Sequence, residues 1–217
     1  MFHYLENKAM ESSMRQNSGV IMRTLCSTLK KQYGIGARPF MVGSGRRKLI
    51  TRNGAGPVDL DYNLEILKCP PLKDWKELKE KVQLAFNHAL EVNGQKDCKK
   101  STSVLTAHIT TQGRTNPVYY SIDVCVVRKN KKGHYDRLIL EKHECAQKDR
   151  CYWNEAPDST ELLEKVEYIK SQGRWIRLKE EYLNRKNHYL RSNDHNHPSF
   201  ICYVEAVNNV YNQIRRR

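Results

Sequence analysis

One acid interrupts a strand that has almost no polar residues. In Tyr120-Ser121-Ile122-Asp123-Val124-Cys125-Val126-Val127 the run of apolar and aromatic residues reads as a largely buried strand, and Asp123 stands in its middle. A buried strand does not carry a bare carboxylate; the charge needs a partner or a ligand. A second strand is legible upstream. From Val58 to Leu67, Val58, Leu60, Tyr62, Leu64 and Ile66 alternate with Asp59, Asp61, Asn63 and Glu65, the period of a half-buried strand. Asp59 and Asp61 therefore project from the same face of it. If the two strands are neighbours, three carboxylates converge. Three clustered anions raise one another's pKa values unless a cation neutralises them. A hard divalent ion held by oxygen ligands, Mg²⁺ or Mn²⁺, answers that need.

Each acid also has a plainer reading. Asp59 follows a Gly/Pro loop and suits turn chemistry, Asp61 suits a solvated strand face, and Asp123 suits an ion pair with a basic residue. Basic residues are plentiful: 38 Lys and Arg face 24 Asp and Glu in 217 residues, a formal charge of +14. That excess points to an anionic partner, whether phosphate, nucleotide or nucleic acid. Aromatic content and regular periodicity exclude a disordered chain. No run approaches the roughly 18 apolar residues of a membrane span, and Met1–Met14 lacks the apolar segment of a secretory signal. Seven cysteines without framework spacing read as reduced thiols, which implies a cytoplasmic protein.

Around the two strands the periodicity predicts a helix over Ser18–Gln32 ended by Gly34 and Gly36, a short strand Pro39–Val42, and a loop from Ser44 to Pro57. A helix follows with Trp75, Leu78, Val82, Phe86 and Ala89 on one face. Val104–Thr110 and Val118–Val127 are expected to form a hairpin about a turn at Gln112–Pro117, with Arg137–Leu140 as an edge strand. The last third is helical. It opens at a capping-box-like Asp158/Glu161, breaks at Gly173 and Asn196–Ser199, and carries a final helix through Phe200, Val204, Val207, Tyr211 and Ile214. The expected fold class is α/β (α+β): a mixed sheet with flanking helices over residues 1–151, then a helical bundle over residues 152–217.

The short strand ends in Gly43-Ser44, and a Gly-Ser turn after a strand presents backbone N–H groups and a hydroxyl to a phosphate. Phe40-Met41-Val42-Gly43-Ser44, fourteen intervening residues, Asp59-Leu60-Asp61-Tyr62, and Ile122-Asp123-Val124 on a later strand together resemble the DNA polymerase beta-type nucleotidyltransferase superfamily. The resemblance covers about Pro39 to Val127. It looks closest to stand-alone enzymes related to poly(A) polymerases, oligoadenylate synthases and bacterial dinucleotide cyclases. Thr51 is similar to a position that these often fill with Thr, and the loop before Asp59 is slightly longer and more basic than common.

The resemblance implies that Gly43 and Ser44 hold a nucleoside triphosphate, probed first as ATP, with Arg46, Arg47 and Lys48 neutralising it. It implies that Asp59 and Asp61 bind the metals and that Asp123 completes the second metal site and helps activate the acceptor hydroxyl. The reaction would be transfer of a nucleoside monophosphate with release of pyrophosphate. The acceptor stays open: a nucleotide, an RNA 3′ end, a protein side chain or a small molecule. The basic loop reads equally well as a solvated surface. The alternative for the whole chain is a non-catalytic nucleotide- or nucleic-acid-binding module on the same scaffold.

Two looser clusters complete the list. His143, Cys145 and Cys151, and His188, His195, His197 and Cys202, contain zinc-ligand residue types without the paired Cys-x-x-Cys spacing of a finger; surface histidines and buried thiols are the plainer reading. The basic residues of the last helices (Lys165, Lys170, Arg174, Arg177, Arg185) suit phosphate contacts, but the interleaved Glu161, Glu167, Glu180 and Glu181 suit ordinary helix pairing. Tyr168, Tyr182 and Tyr189 suit base stacking or simple core packing.

Overall fold

The two acid-bearing strands are direct neighbours. In a computed structural model describing residues 1–111, 118–142, 149–157, 159–194 and 198–216, β4 (Val58–Lys68) and β7 (Val118–Lys129) pair in parallel, with Asp59 opposite Ser121 and Asp61 opposite Asp123. On its other edge β4 pairs antiparallel with β2 (Gly36–Met41). β7 pairs antiparallel with β6 (Val104–Thr111), which is flanked by the two-residue β5 (Lys99–Lys100). The far end of β7 turns into β8 (Tyr135–Glu141), and β8 pairs with β9 (Arg150–Glu155). The result is a mixed seven-stranded sheet.

Two helices cover one face of it. α1 (Lys8–Tyr33) starts at Asn7, whose side chain accepts from Met10 N, and ends at Gly34 in the left-handed region (φ 66°). α3 (Trp75–Val92) starts at Asp74, which accepts from Glu77 N. Met14, Ile21, Met22, Leu25 and Leu29 of α1, and Leu78, Val82, Phe86 and Leu90 of α3, are fully buried. Facing them are Val58, Leu60, Leu64, Ile122, Val124, Leu105 and Ile109. Burial contributes about 1.5–3 kcal/mol for each large side chain. Polar bonds fix α1 on that face: Ser18 Oγ to Tyr62 OH at 2.7 Å, and Asn17 Nδ2 to Tyr120 OH at 3.0 Å. The strand alternation then puts Asp59, Asp61 and Asp123 on the opposite face.

The chain divides into two compact units. The sheet unit is Glu6–Arg46 with Pro57–Ala156; the helical unit is Met1–Leu5, Arg47–Gly56 and Pro157–Arg217. The helical unit contains α4 (Thr160–Ser171), α5 (Trp175–Arg191) and α6 (Ser199–Arg215), with β1 (Phe2–Tyr4) paired antiparallel to β3 (Thr51–Asn53). Its core joins Val166, Ile169, Leu178, Tyr182, Tyr203, Val207 and Val210 to Leu49. Asn187 on α5 holds β1 with both ends of its amide, accepting from Phe2 N at 2.7 Å and donating to Phe2 O at 2.9 Å. Lys186 donates to Thr51 Oγ1 at 2.7 Å and stands 4.0 Å from the Phe2 ring centre.

Several expectations change. The segment 44–57 is not a plain loop: α2 (Gly43–Arg47) and β3 lie within it. α1 begins ten residues before Ser18: Met10 and buried Met14 extend the period of Ile21 and Leu25 back through an otherwise mostly polar stretch. β8 is not an edge strand, since β9 lies outside it. Glu65 leaves the exposed set; it is 3% exposed and pairs with Arg38 at 2.6 Å. α4 starts at Ser159 without a side-chain cap bond, and Asp158 lies outside the described residues, as does the Gln112–Pro117 turn. The helix-surface charges pair as expected: Lys165–Glu161 (2.6 Å), Lys170–Glu167 (2.8 Å), Arg185–Glu181 (3.0 Å). Tyr182 is buried in the core, and Tyr168 packs on Tyr211. Among the described residues, no helix is long and apolar enough to cross a membrane.

Candidate active site

Backbone hydrogen bonding builds the site from the sheet outward. β2 ends at Met41, and Val42 N donates to Asp61 O at 2.9 Å, so the chain enters α2 while still attached to β4. Gly43 makes the turn at φ 61°, a backbone conformation that costs other residues about 1–2 kcal/mol. The Asp61 side chain fills the space beside it, and a β-carbon on Gly43 would lie 2.0 Å from Asp61 Oδ2. Only glycine permits this approach. Ser44 follows as the second residue of α2 and Arg46 is exposed, its N–H bonded to Val42 O at 3.2 Å.

Each of the other two carboxylates is held by a hydroxyl on a neighbouring strand. Ser121 Oγ, itself buried, donates to Asp59 Oδ1. Thr106 Oγ1 donates to Asp123 Oδ1 at 2.5 Å. Burial pushes the Asp123 carboxyl above the usual carboxylate range; the Thr106 bond and nearby His108 oppose this, and the Asp59 charge adds to it. His108 is exposed and stands opposite Ser121 across the β6–β7 pair.

Asp59, Asp61, Asp123, Gly43, Ser44 and Arg46 therefore share one unit. Lys48 belongs to the helical unit and is exposed, with φ 58°. Arg47 belongs there too, its guanidinium 4.2 Å from the Tyr203 ring centre. Ser121 is legible in the sequence as a residue two positions from Asp123 and so on its face, whereas the place of Thr106 beside Asp123 follows from the β6–β7 register. The zinc-type residues His143, Cys145, His195 and His197 lie outside the described residues.

The donor set is chemically suited to Mg²⁺ or Mn²⁺: three carboxylates on one sheet face, with hydroxyls behind two of them. As the side chains stand, however, the oxygens are turned to different neighbours: Asp59 to Ser121, Asp123 to Thr106, and Asp61 toward Gly43. Among the described residues no group of three or more His, Cys, Asp or Glu is placed to hold a metal ion. The residues fit a divalent ion in type and in the face they share.

No protein-family model and no curated protein matches this chain. Solved structures do match in fold. A variant of the Vibrio cholerae di-nucleotide cyclase DncV, in complex with ATP and GTP among its ligands, aligns over 95% of this chain and 69% of its own with a TM-score of 0.61 at 10% identity. CdnC of E. coli MS115-1 with ATP aligns over 93% of this chain and 61% of its own (TM-score 0.56, 14% identity). The cyclic dinucleotide synthase CdnE of Elizabethkingia meningoseptica, with GTP and Apcpp, aligns over 91% and 69% (TM-score 0.52, 16% identity). The chain thus shares the fold of these three structures and spans between 61% and 69% of their lengths.

Proposed function

We propose that this chain is a metal-dependent nucleotidyltransferase that moves a nucleoside monophosphate from a nucleoside triphosphate, ATP being the first to test, to an acceptor hydroxyl with release of pyrophosphate. The observation that carries the reading is the parallel β4–β7 register, which sets Asp61 beside Asp123 and Asp59 beside Ser121, with the Gly43–Ser44 turn pressed against Asp61. Likeness in fold to structures holding ATP and GTP supports it.

In this reading the sheet unit is the catalytic part and the C-terminal helices form the second domain. Gly43 and Ser44 receive the triphosphate, and exposed Arg46, in the same unit, supplies positive charge to it. Asp59, Asp61 and Asp123 hold divalent cations, which when bound neutralise the donor phosphates and the leaving pyrophosphate. Asp123 is assigned to help activate the acceptor hydroxyl by receiving its proton. Ser121 and Thr106 each bond one oxygen of Asp59 and Asp123 and so restrict the rotation of these carboxylates. The protein's contribution is positioning and charge.

One observation favours a second reading, a non-catalytic nucleotide-binding module: Asp59 and Asp123 are each bonded to a hydroxyl, and among the described residues no group of three acids is placed to hold a metal ion. Incubation with labelled nucleoside triphosphates and Mg²⁺ or Mn²⁺ decides between them. Pyrophosphate release with a product identified by mass spectrometry supports transfer. Saturable nucleotide binding without turnover supports the module.

A further inference from the structure

We propose that Arg15, on α1, is a positioning residue for the donor phosphates. This rests on the reading of the Gly43–Ser44 turn as the triphosphate site. The Arg15 guanidinium bridges the two sides of that turn. Its Nη1 donates to Met41 Sδ at 2.8 Å, at the end of β2, and its Nη2 donates to Gly45 O at 2.6 Å, inside α2. The same group is oriented by Glu11 one helical turn earlier, whose Oε1 accepts from Nε at 2.8 Å and Nη2 at 2.7 Å. The fit is close on the turn side as well, because a β-carbon on Gly45 would stand 2.7 Å from Met41 Sδ.

A five-residue helix has too few internal hydrogen bonds to hold its own geometry. What fixes α2 must therefore come from outside it. Within the sheet unit, Arg15 supplies a fork from a long helix that is bolted to the sheet through Ser18–Tyr62 and Asn17–Tyr120. A planar guanidinium with five donors can serve Glu11, Met41 and Gly45 together; a lysine ammonium at this place cannot span them. Without the fork the turn is less well fixed, so its N–H groups and hydroxyl meet the phosphates less well and binding weakens.

The test compares wild type, Arg15→Lys and Arg15→Ala as full chains, by pyrophosphate release against triphosphate concentration and by binding of a non-hydrolysable triphosphate analogue, with a thermal unfolding midpoint for each. The expected result is a rise of about tenfold in KM and in the analogue Kd for both variants, with kcat within about threefold. Glu11→Gln should show a smaller rise in the same direction and stands in if Arg15→Ala does not fold. Unchanged KM and Kd, with any loss confined to kcat in proportion to the folded fraction, would mean that Arg15 serves stability alone and would overturn the proposal. A wild-type chain that neither binds nor turns over triphosphates overturns the donor-site reading and this proposal with it; a wild type that turns over normally beside variants of unchanged KM overturns only this one.

Discussion

The Asp61 carboxylate lies against the α-carbon of Gly43, so closely that a methyl group there would stand 2.0 Å from Oδ2 and 2.9 Å from Cγ. Gly43→Ala carries two costs: a positive φ that alanine resists by about 1–2 kcal/mol, and displacement of Asp61. Gly34→Ala is the matched control, because φ is 66° and nothing lies within 4 Å of the new carbon. Both variants should unfold at lower temperature. Only Gly43→Ala should lose nucleotidyl transfer, by at least about a hundredfold. Equal activity in the two would separate Asp61 from the chemistry.

Asp123 gives a prediction whose sign follows from burial. Its pKa is raised, so the folded chain holds this proton to higher pH than the unfolded chain does. Below the unfolded-state value both states are protonated. Between the two values only the folded state is, so stability falls as pH rises through that window and stays lower above it. Asp123→Asn keeps an acceptor for Thr106 and removes the charge. In metal-free protein at pH 7 it should raise the unfolding midpoint, each 1 kcal/mol being about 2–4 °C at this chain length, while transfer is lost. A lowered midpoint would contradict the account.

Thr106 and Asp59 should move the same titration in opposite directions. Thr106→Val removes the hydroxyl that stabilises the ionised carboxyl, so Asp123 should protonate at still higher pH; Asp59→Asn removes a repelling charge and should lower it. The carbon chemical shift of the Asp123 carboxyl, followed against pH in metal-free protein, reads both. No movement in either variant would remove these neighbours from the site's electrostatics.

In the helical unit, Asn187 is buried and makes both amide bonds to Phe2. Asn187→Ala leaves the Phe2 N–H and carbonyl without that partner, a cost of about 1–3 kcal/mol. Faster hydrogen exchange through Phe2–Tyr4 with little change in α3 would confirm that the amide holds β1. Unchanged exchange would show that the β1–β3 pairing alone does so.

The strands that carry the acids were legible because their alternation is strong: Val58, Leu60, Tyr62 and Leu64 are buried as the period requires. Their parallel pairing was not, since nothing in either strand names its neighbour. α2 and β3 were hidden in a Gly-, Pro- and Arg-rich stretch without a period, and the start of α1, with Arg15 in it, was missed although Met10 and Met14 keep the period. β9 was missed because Arg150–Glu155 is an outer strand whose residues are half-buried or exposed. Thr106 and Ser121 could be placed on a face from the sequence, but their bonds to Asp123 and Asp59 depend on the register between strands.

The central claim is tested most directly by pyrophosphate release from nucleoside triphosphates, in Mg²⁺ or Mn²⁺, by the wild-type chain and by the Asp59→Ala/Asp61→Ala double variant with its fold verified. The account predicts metal-dependent release by the wild type and background release by the double variant. Undiminished transfer by a folded double variant would contradict it.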